Sequence, residues 1–271
     1  MAGNTKALRI RIKSVTSTQQ LTKAMGLVAS SKIRRANEAM FKGRDYSAAL
    51  DKALDILTSD RDCLKSPYMQ ERDTGRVRFI IIAGDRGLAG GYNANIFRLA
   101  AELTAEYPDS EFIPIGKRAC ERYGQPIISS ERYSFESAAE LADALCSDFA
   151  DGKFDKLGII STKYISMMSQ EACIKWILPF KKSDKENTAS AIFEPDQITV
   201  LNNVAREYVS GMITVSVRES FASEVAARRM AMDSAGKNAS EMIDRLQLEY
   251  NRARQGAITQ EITEIVAGSG N

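Results

Sequence analysis

All six prolines of this 271-residue chain fall between positions 67 and 195, which leaves two long proline-free stretches, 1–66 and 196–271. Proline in a helix interior costs about 3 kcal/mol, so long helices exclude it. In the first stretch, apolar or small residues at Leu8, Ile12, Val15, Leu21, Met25, Val28, Ala36, Met40, Ala53 and Leu57 repeatedly step by three and four. In the second, Ala235, Ala239, Met242, Leu246, Tyr250, Ala253 and Ala257 keep the same rhythm. The pattern predicts helices over roughly 4–59 and 207–267, each extending about 80 Å at about 1.5 Å per residue. No globular core of this size buries that length. A narrow-striped helix so long needs a second helix alongside it, and the only other candidate lies at the opposite end of the chain. The prediction is an antiparallel coiled coil of the two termini, with a seam of Ala, Gly, Ser and Met that lets the backbones approach closely.

Between the arms the pattern changes. "RVRFIIIAG", "SEFIPIG", "FDKLGIIST" and "EACIKWILPF" read as strands, while 93–106, 117–123 and 136–150 read as helices. Strands alternating with helices define an α/β domain with a largely parallel sheet. The expected organisation is therefore an N-terminal shaft helix in 1–66, a Rossmann-like α/β body in 67–206 and a C-terminal shaft helix in 207–271. The polar run "KKSDKENTAS" at 181–190 reads as a surface loop.

Composition excludes several chemistries. There is no histidine, which removes the usual neutral-pH base and the commonest metal ligand. Cys63, Cys120, Cys146 and Cys173 form no CxxC pair, and read as reduced, mostly packed thiols. No apolar run reaches the roughly 18 residues of a membrane span. Net charge is only +2, yet residues 1–35 hold eight basic side chains and no acid. Such a start is compatible with an organelle transit peptide. The helical pattern continues past residue 35 without a break, however, which favours a basic arm facing an acidic partner.

The glycine-rich "AGDRGLAGGYN" at 83–93 follows a strand and opens a helix, the setting of a phosphate cradle. Its chemistry does not fit. No lysine follows the second glycine cluster, as GxxxxGK[ST] requires, and Gly84 and Gly87 are spaced wrongly for GxGxxG. Asp85 would also set a carboxylate beside the phosphates. The loop reads as a tight turn against the next helix, with Asn93 as N-cap. Glu261 and Glu264 read as a solvated helix face, and Ser30–Ser31–Lys32 is too short to define a catalytic dyad. A nucleotide-dependent enzyme on the α/β body would bind ATP and magnesium in dialysis, and a nucleic-acid binder using the basic arm would show salt-dependent association. Phe41 is the only aromatic in the first 45 residues, against the stacking platforms of single-strand binders.

Three stretches carry a resemblance. "LTKAMGLVASSKIRRA" (21–36), "AGDRGLAGGYNANI" (83–96) and "YNRARQGAITQEITEIVAGS" (250–269) resemble the signature segments of the γ subunit of F-type ATP synthases. "SEVAARRMAMDSAGKNASEMI" (223–243) is similar to the family's preceding segment, and the likeness runs from about Lys6 to Gly268. It implies a non-catalytic central rotor shaft, with no cofactor, coupling rotation of a membrane ring of c subunits to the cycling of three catalytic β chains. The implied partners are three α and three β chains, the ε subunit and the c ring, with no nucleic acid. Membrane association would be indirect, through the c ring. By matching motifs, Lys23, Met25, Arg34 and Arg35 carry over as the contact region for the acidic lever loop of β. Arg228, Gln255 and Thr259 carry over as polar contacts with the ring. Ile258, Ile262, Ile265 and Val266 fit an apolar tip turning in the ring's hydrophobic collar, or could instead pack on the N-terminal helix. Gly26 and Arg229 depart from the family pattern, where a larger residue and an apolar one are common. No match to the chloroplast regulatory insert and no presequence point to a bacterial protein, peripheral on the cytoplasmic face of the cell membrane.

Overall fold

A computed structural model describes the backbone of residues 2–59, 61–183 and 193–268. The expected loop at 181–190 therefore lies mostly outside the described residues. Eleven elements follow in order: α1 (Ala2–Leu57), 3-10 helices η1 (Arg61–Lys65) and η2 (Pro67–Met69), β1 (Val77–Ile82), α2 (Tyr92–Glu106), β2 (Glu111–Ile115), α3 (Lys117–Tyr123), α4 (Phe135–Ala150), β3 (Lys156–Tyr164), β4 (Gln170–Leu178) and α5 (Gln197–Gly268). Helix α5 starts ahead of the expected position near 207. Pro195 and Asp196 account for this, because the Asp196 carboxylate accepts from the Thr199 amide at 2.9 Å and from its hydroxyl at 2.7 Å, capping the new helix.

Two compact units divide the chain, Lys32–Ala227 on the one hand and Met1–Ser31 with Arg228–Asn271 on the other. In the larger unit, four strands form one sheet in the order β2-β1-β3-β4. The first three run parallel and β4 returns antiparallel beside β3. Both faces of the sheet are covered, which is why Phe79 to Ala83 reads as an unbroken apolar run. Val77, Phe79 and Ile81 pack with Tyr92, Ile96, Ala100 and Leu103 of α2. Ile80 and Ile82 belong to the second core, with Ala142, Leu145 and Phe149 of α4 and Tyr208, Val209 and Ile213 of α5. Within this unit α1 and α5 run antiparallel. A Cβ on Gly211 would lie 2.5 Å from Leu50 Cδ1, so the small residue sets the helix spacing there. Further along, the Tyr208 hydroxyl donates to Asp51 at 2.8 Å, and burial beside that carboxylate pushes the phenol's pKa far up.

The smaller unit is the other stretch of the same helix pair. Gly26 faces Arg229 and Met232, Thr22 faces Gly236, and Arg9 donates to the Tyr250 hydroxyl at 2.9 Å. Rising numbers on one helix meet falling numbers on the other, so the pair is antiparallel, as the sequence predicts. The buried stripe of α1 is offset from expectation: Thr22, Gly26 and Ala29 are buried, whereas Leu21 and Val28 are 60% and 54% exposed. On α5, Met232, Ala239 and Leu246 are buried while Met242 turns outward. Small residues occupy the seam because larger ones would hold the helices apart. A Cβ on Gly26 would approach the Arg229 guanidinium to 3.0 Å, so the glycine leaves room for the arginine.

Candidate partner interface

The glycine loop after β1 is filled from inside the protein. A Cβ on Gly84 would fall 2.7 Å from Cδ and 2.8 Å from Oε1 of Glu224, a residue of α5 that is 2% exposed. Glycine is present because a helix carboxylate occupies that space. The Gly84 amide donates to Asn93 Oδ1 at 2.9 Å, and Asn93 Nδ2 donates to the Arg86 carbonyl at 3.3 Å. Asn93 thus ties the loop and does not cap α2, whose N-cap is Gly91. The cap lies two residues before Asn93, because α2 already begins at Tyr92.

Asp85 completes the closure. Its carboxylate accepts from the amides of Lys117 (3.1 Å), Ser130 (2.9 Å) and Glu131 (3.2 Å) and from the Ser129 hydroxyl (2.5 Å). Donors that could have met a phosphate are already bound to an internal anion. Partial burial pushes the Asp85 pKa up, but the hydrogen bonds from Ser129, Ser130, Lys117 and Glu131 outweigh it and hold the group below the usual carboxylate range. A carboxylate lowered on folding stabilises the protein above its unfolded pKa of about 4, and this contribution disappears as pH falls through the folded value. Asp85→Asn turns an acceptor into a donor facing donors. We expect it to cost about 1–2 kcal/mol at pH 7 after allowance for partial solvent exposure. The difference from the parent should narrow below about pH 4 in urea titrations.

The cysteines agree with the reading as packed thiols: none of the four forms a disulfide, Cys63, Cys120 and Cys146 are buried, and burial pushes the Cys146 thiol up to about 12. Among the described residues no group of histidine, cysteine or carboxylate side chains could hold a metal ion, and no helix is long and apolar enough to cross a membrane.

The residues singled out from the resemblance lie on the two long helices. Lys23 is exposed and Met25 half-buried on the stretch of α1 in the smaller unit. In the larger unit Arg34 and Arg35 are exposed, with Arg34 3.6 Å from Glu38 one turn on. Such an exposed pair contributes little to stability. Arg228 is half-buried, while Gln255 and Thr259 are exposed on α5. Ile258, Ile262, Ile265 and Val266 are between 48% and 70% exposed on α5. Leu21, Leu27 and Val28 add a second exposed apolar group, although helical periodicity alone assigns Leu21 and Val28 to the seam. The available signal is the Thr22–Gly26–Ala29 spacing of small residues, which outranks hydrophobicity where two backbones meet. Exposed apolar side chains along a paired helix mark a surface built to be covered.

A closed glycine loop, a terminal helix pair and outward apolar side chains define a structural subunit of a larger assembly. The family model described as ATP synthase matches residues 4–270. The ATP synthase gamma chain of Geotalea daltonii is 38% identical over 278 aligned positions, covering 97% of each chain. This chain belongs to the ATP synthase gamma chain family. Its fold is shared with the rotor of the Euglena gracilis mitochondrial ATP synthase, at TM-score 0.71 and 18% identity over 95% of this chain and 100% of that one. It is also shared with a chain of that enzyme's OSCP, F1 and c-ring assembly, at TM-score 0.72 and 18% identity over 99% and 94%. A third likeness is to the central stalk and c ring of the Tetrahymena thermophila enzyme, at TM-score 0.64 and 20% identity over 79% and 99%.

Proposed function

We propose that this chain is the central rotor shaft of a membrane-bound ATP synthase, coupling ion-driven rotation of the c ring to the conformational cycle of three catalytic β chains, or running in reverse to pump ions. The observation that carries this reading is the antiparallel pairing of the two terminal helices with outward apolar residues, in a gamma-chain family member. In this reading segments 1–66 and 207–271 form the shaft, and 67–206 forms the body that meets the ε subunit and the c ring. The complex lies on the cytoplasmic face of a bacterial cell membrane, and the bacterial relative supports that placement.

The mechanism is differential contact. The two helices present unlike faces around their common axis, so each of three equivalent β chains meets a different surface at any instant. Each surface favours a different open or closed state, and rotation applies the population shift to the three sites in turn. Nucleotide chemistry belongs to the β chains, and this chain carries none. Lys23, Arg34 and Arg35 supply positive charge toward an acidic lever loop beside Met25. Arg228, Gln255 and Thr259 supply polar contacts with the ring, and Ile258, Ile262, Ile265 and Val266 supply the apolar tip.

Affinity purification of the tagged chain from its native membrane tests the assignment: α- and β-type chains should co-purify, and their absence would overturn it. The tip makes a sharper prediction. Ile262→Asp should change the stability of the isolated chain by no more than about 0.5 kcal/mol, because the side chain is exposed there. In the assembled complex the new carboxylate meets an apolar collar, and affinity for the ring should fall about ten-fold or more. Equal losses in both measurements would place Ile262 in internal packing.

A further inference from the structure

Strand β3 outruns its neighbour. Pairing with β1 ends at Ile81 opposite Ile160, yet β3 continues to Tyr164, held on its other side by β4 as far as Gln170. Beyond Ile160 one edge of β3 has no strand beside it among the described residues. Thr162 and Tyr164, two residues apart, turn their backbone groups toward that edge. Helix α5 supplies the missing partners with side chains. The Thr162 amide donates to Ser220 Oγ at 3.1 Å, and Ser223 Oγ donates to the Thr162 carbonyl at 3.2 Å. The Tyr164 amide donates to Glu219 Oε1 at 3.1 Å, and the Tyr92 hydroxyl donates to the Ser220 carbonyl at 3.1 Å. Arg44 of α1 donates to both Glu219 (2.6 Å) and the Tyr164 carbonyl (2.5 Å).

Positions 219, 220 and 223 share one side of a helix. Ser220 and Ser223 are 1% and 0% exposed, so the bonds they make are shielded from competing water. Apolar packing tolerates small rotations and slides, whereas hydrogen bonds fix distance and direction. This buried polar seat therefore sets one rotation angle and one height for α5 against the sheet.

We propose that Glu219, Ser220 and Ser223, seated on the overhanging end of β3, pass torque between the α/β body and helix α5. They are positioning residues, and the inference rests on the rotor reading above. The test uses the complete complex in membrane vesicles with Ser220→Ala/Ser223→Ala, reading two quantities. One is ions pumped per ATP hydrolysed, and the other is the angular spread of a bead fixed to the body while the ring is immobilised. Loss of two bonds should lower the pumping ratio about three-fold or more and widen the angular spread. Glu219→Gln, which keeps the shape and removes the charge facing Arg44, should give a smaller change of the same sign. A parental ratio together with a parental spread in the assembled double variant would overturn the proposal. If the double variant does not assemble, Ser223→Ala alone is measured by the same two readouts, and parental values of both would again overturn the proposal. Failure of the parent chain itself to enter the complex would overturn the rotor reading, and the seat's role with it.

Discussion

Gly116→Ala is expected to destabilise the α/β body by about 3–5 kcal/mol, enough to unfold a marginal domain. Two effects combine. Gly116 has φ of +97°, where an L side chain is strained, and its Cβ would fall 1.9 Å from the Ala83 carbonyl oxygen. That carbonyl cannot retreat, because the Ala83 amide is bound to the Ile115 carbonyl at 2.9 Å and the residue is fully buried at the end of β1. Gly124 serves as the control: its φ is +64°, but nothing lies within 4 Å of a Cβ there. Gly124→Ala should cost only about 1 kcal/mol, the conformational part alone. Urea unfolding followed by far-UV circular dichroism separates the two. Similar midpoints for both variants would show that the contact with Ala83 is not the cause.

Gly84→Val is expected to cost about 2–4 kcal/mol and to act on α5 as well as on the loop. The added carbons enter the space held by the Glu224 carboxylate, which is buried and cannot swing into solvent without leaving its site. Displacing a buried polar side chain from its surroundings is the costly step. Shortening the opposing residue tests the mechanism: Glu224→Ala should remove most of the steric part, so the double variant should be less destabilised than the sum of the two singles. Strict additivity would mean that the two residues do not compete for the same space.

Much of this fold is legible because its strongest signals are long. Proline exclusion from both ends reveals the helices, and the apolar runs of β1 and β3 reveal a sheet covered on both faces. Less visible is the seam. Leu21 and Val28 fit a helical period as well as Thr22, Gly26 and Ala29 do, and periodicity alone cannot distinguish a stripe that meets another helix from one that awaits a partner. The 3-10 helices at 61–69 escape a sequence reading because turns this short carry no periodic pattern. The absent lysine and the present Asp85 are enough to read the glycine loop as closed to phosphate. What fills it, Glu224, lies 140 residues further along the chain and leaves no mark on the local sequence. A separation of 58 and 61 residues likewise hides the seat of Ser220 and Ser223 on β3. For the tip isoleucines, spacing allows both an internal and an external role, and the Ile262→Asp comparison between isolated chain and complex separates them.

The most direct measurement is single-molecule rotation. The α and β chains are immobilised, a bead is attached to the α/β body of this chain, and ATP is supplied. The rotor account requires the bead to turn in one direction, in thirds of a revolution as each β chain acts in sequence. A bead that merely fluctuates about one angle while ATP is hydrolysed at the full rate would contradict it.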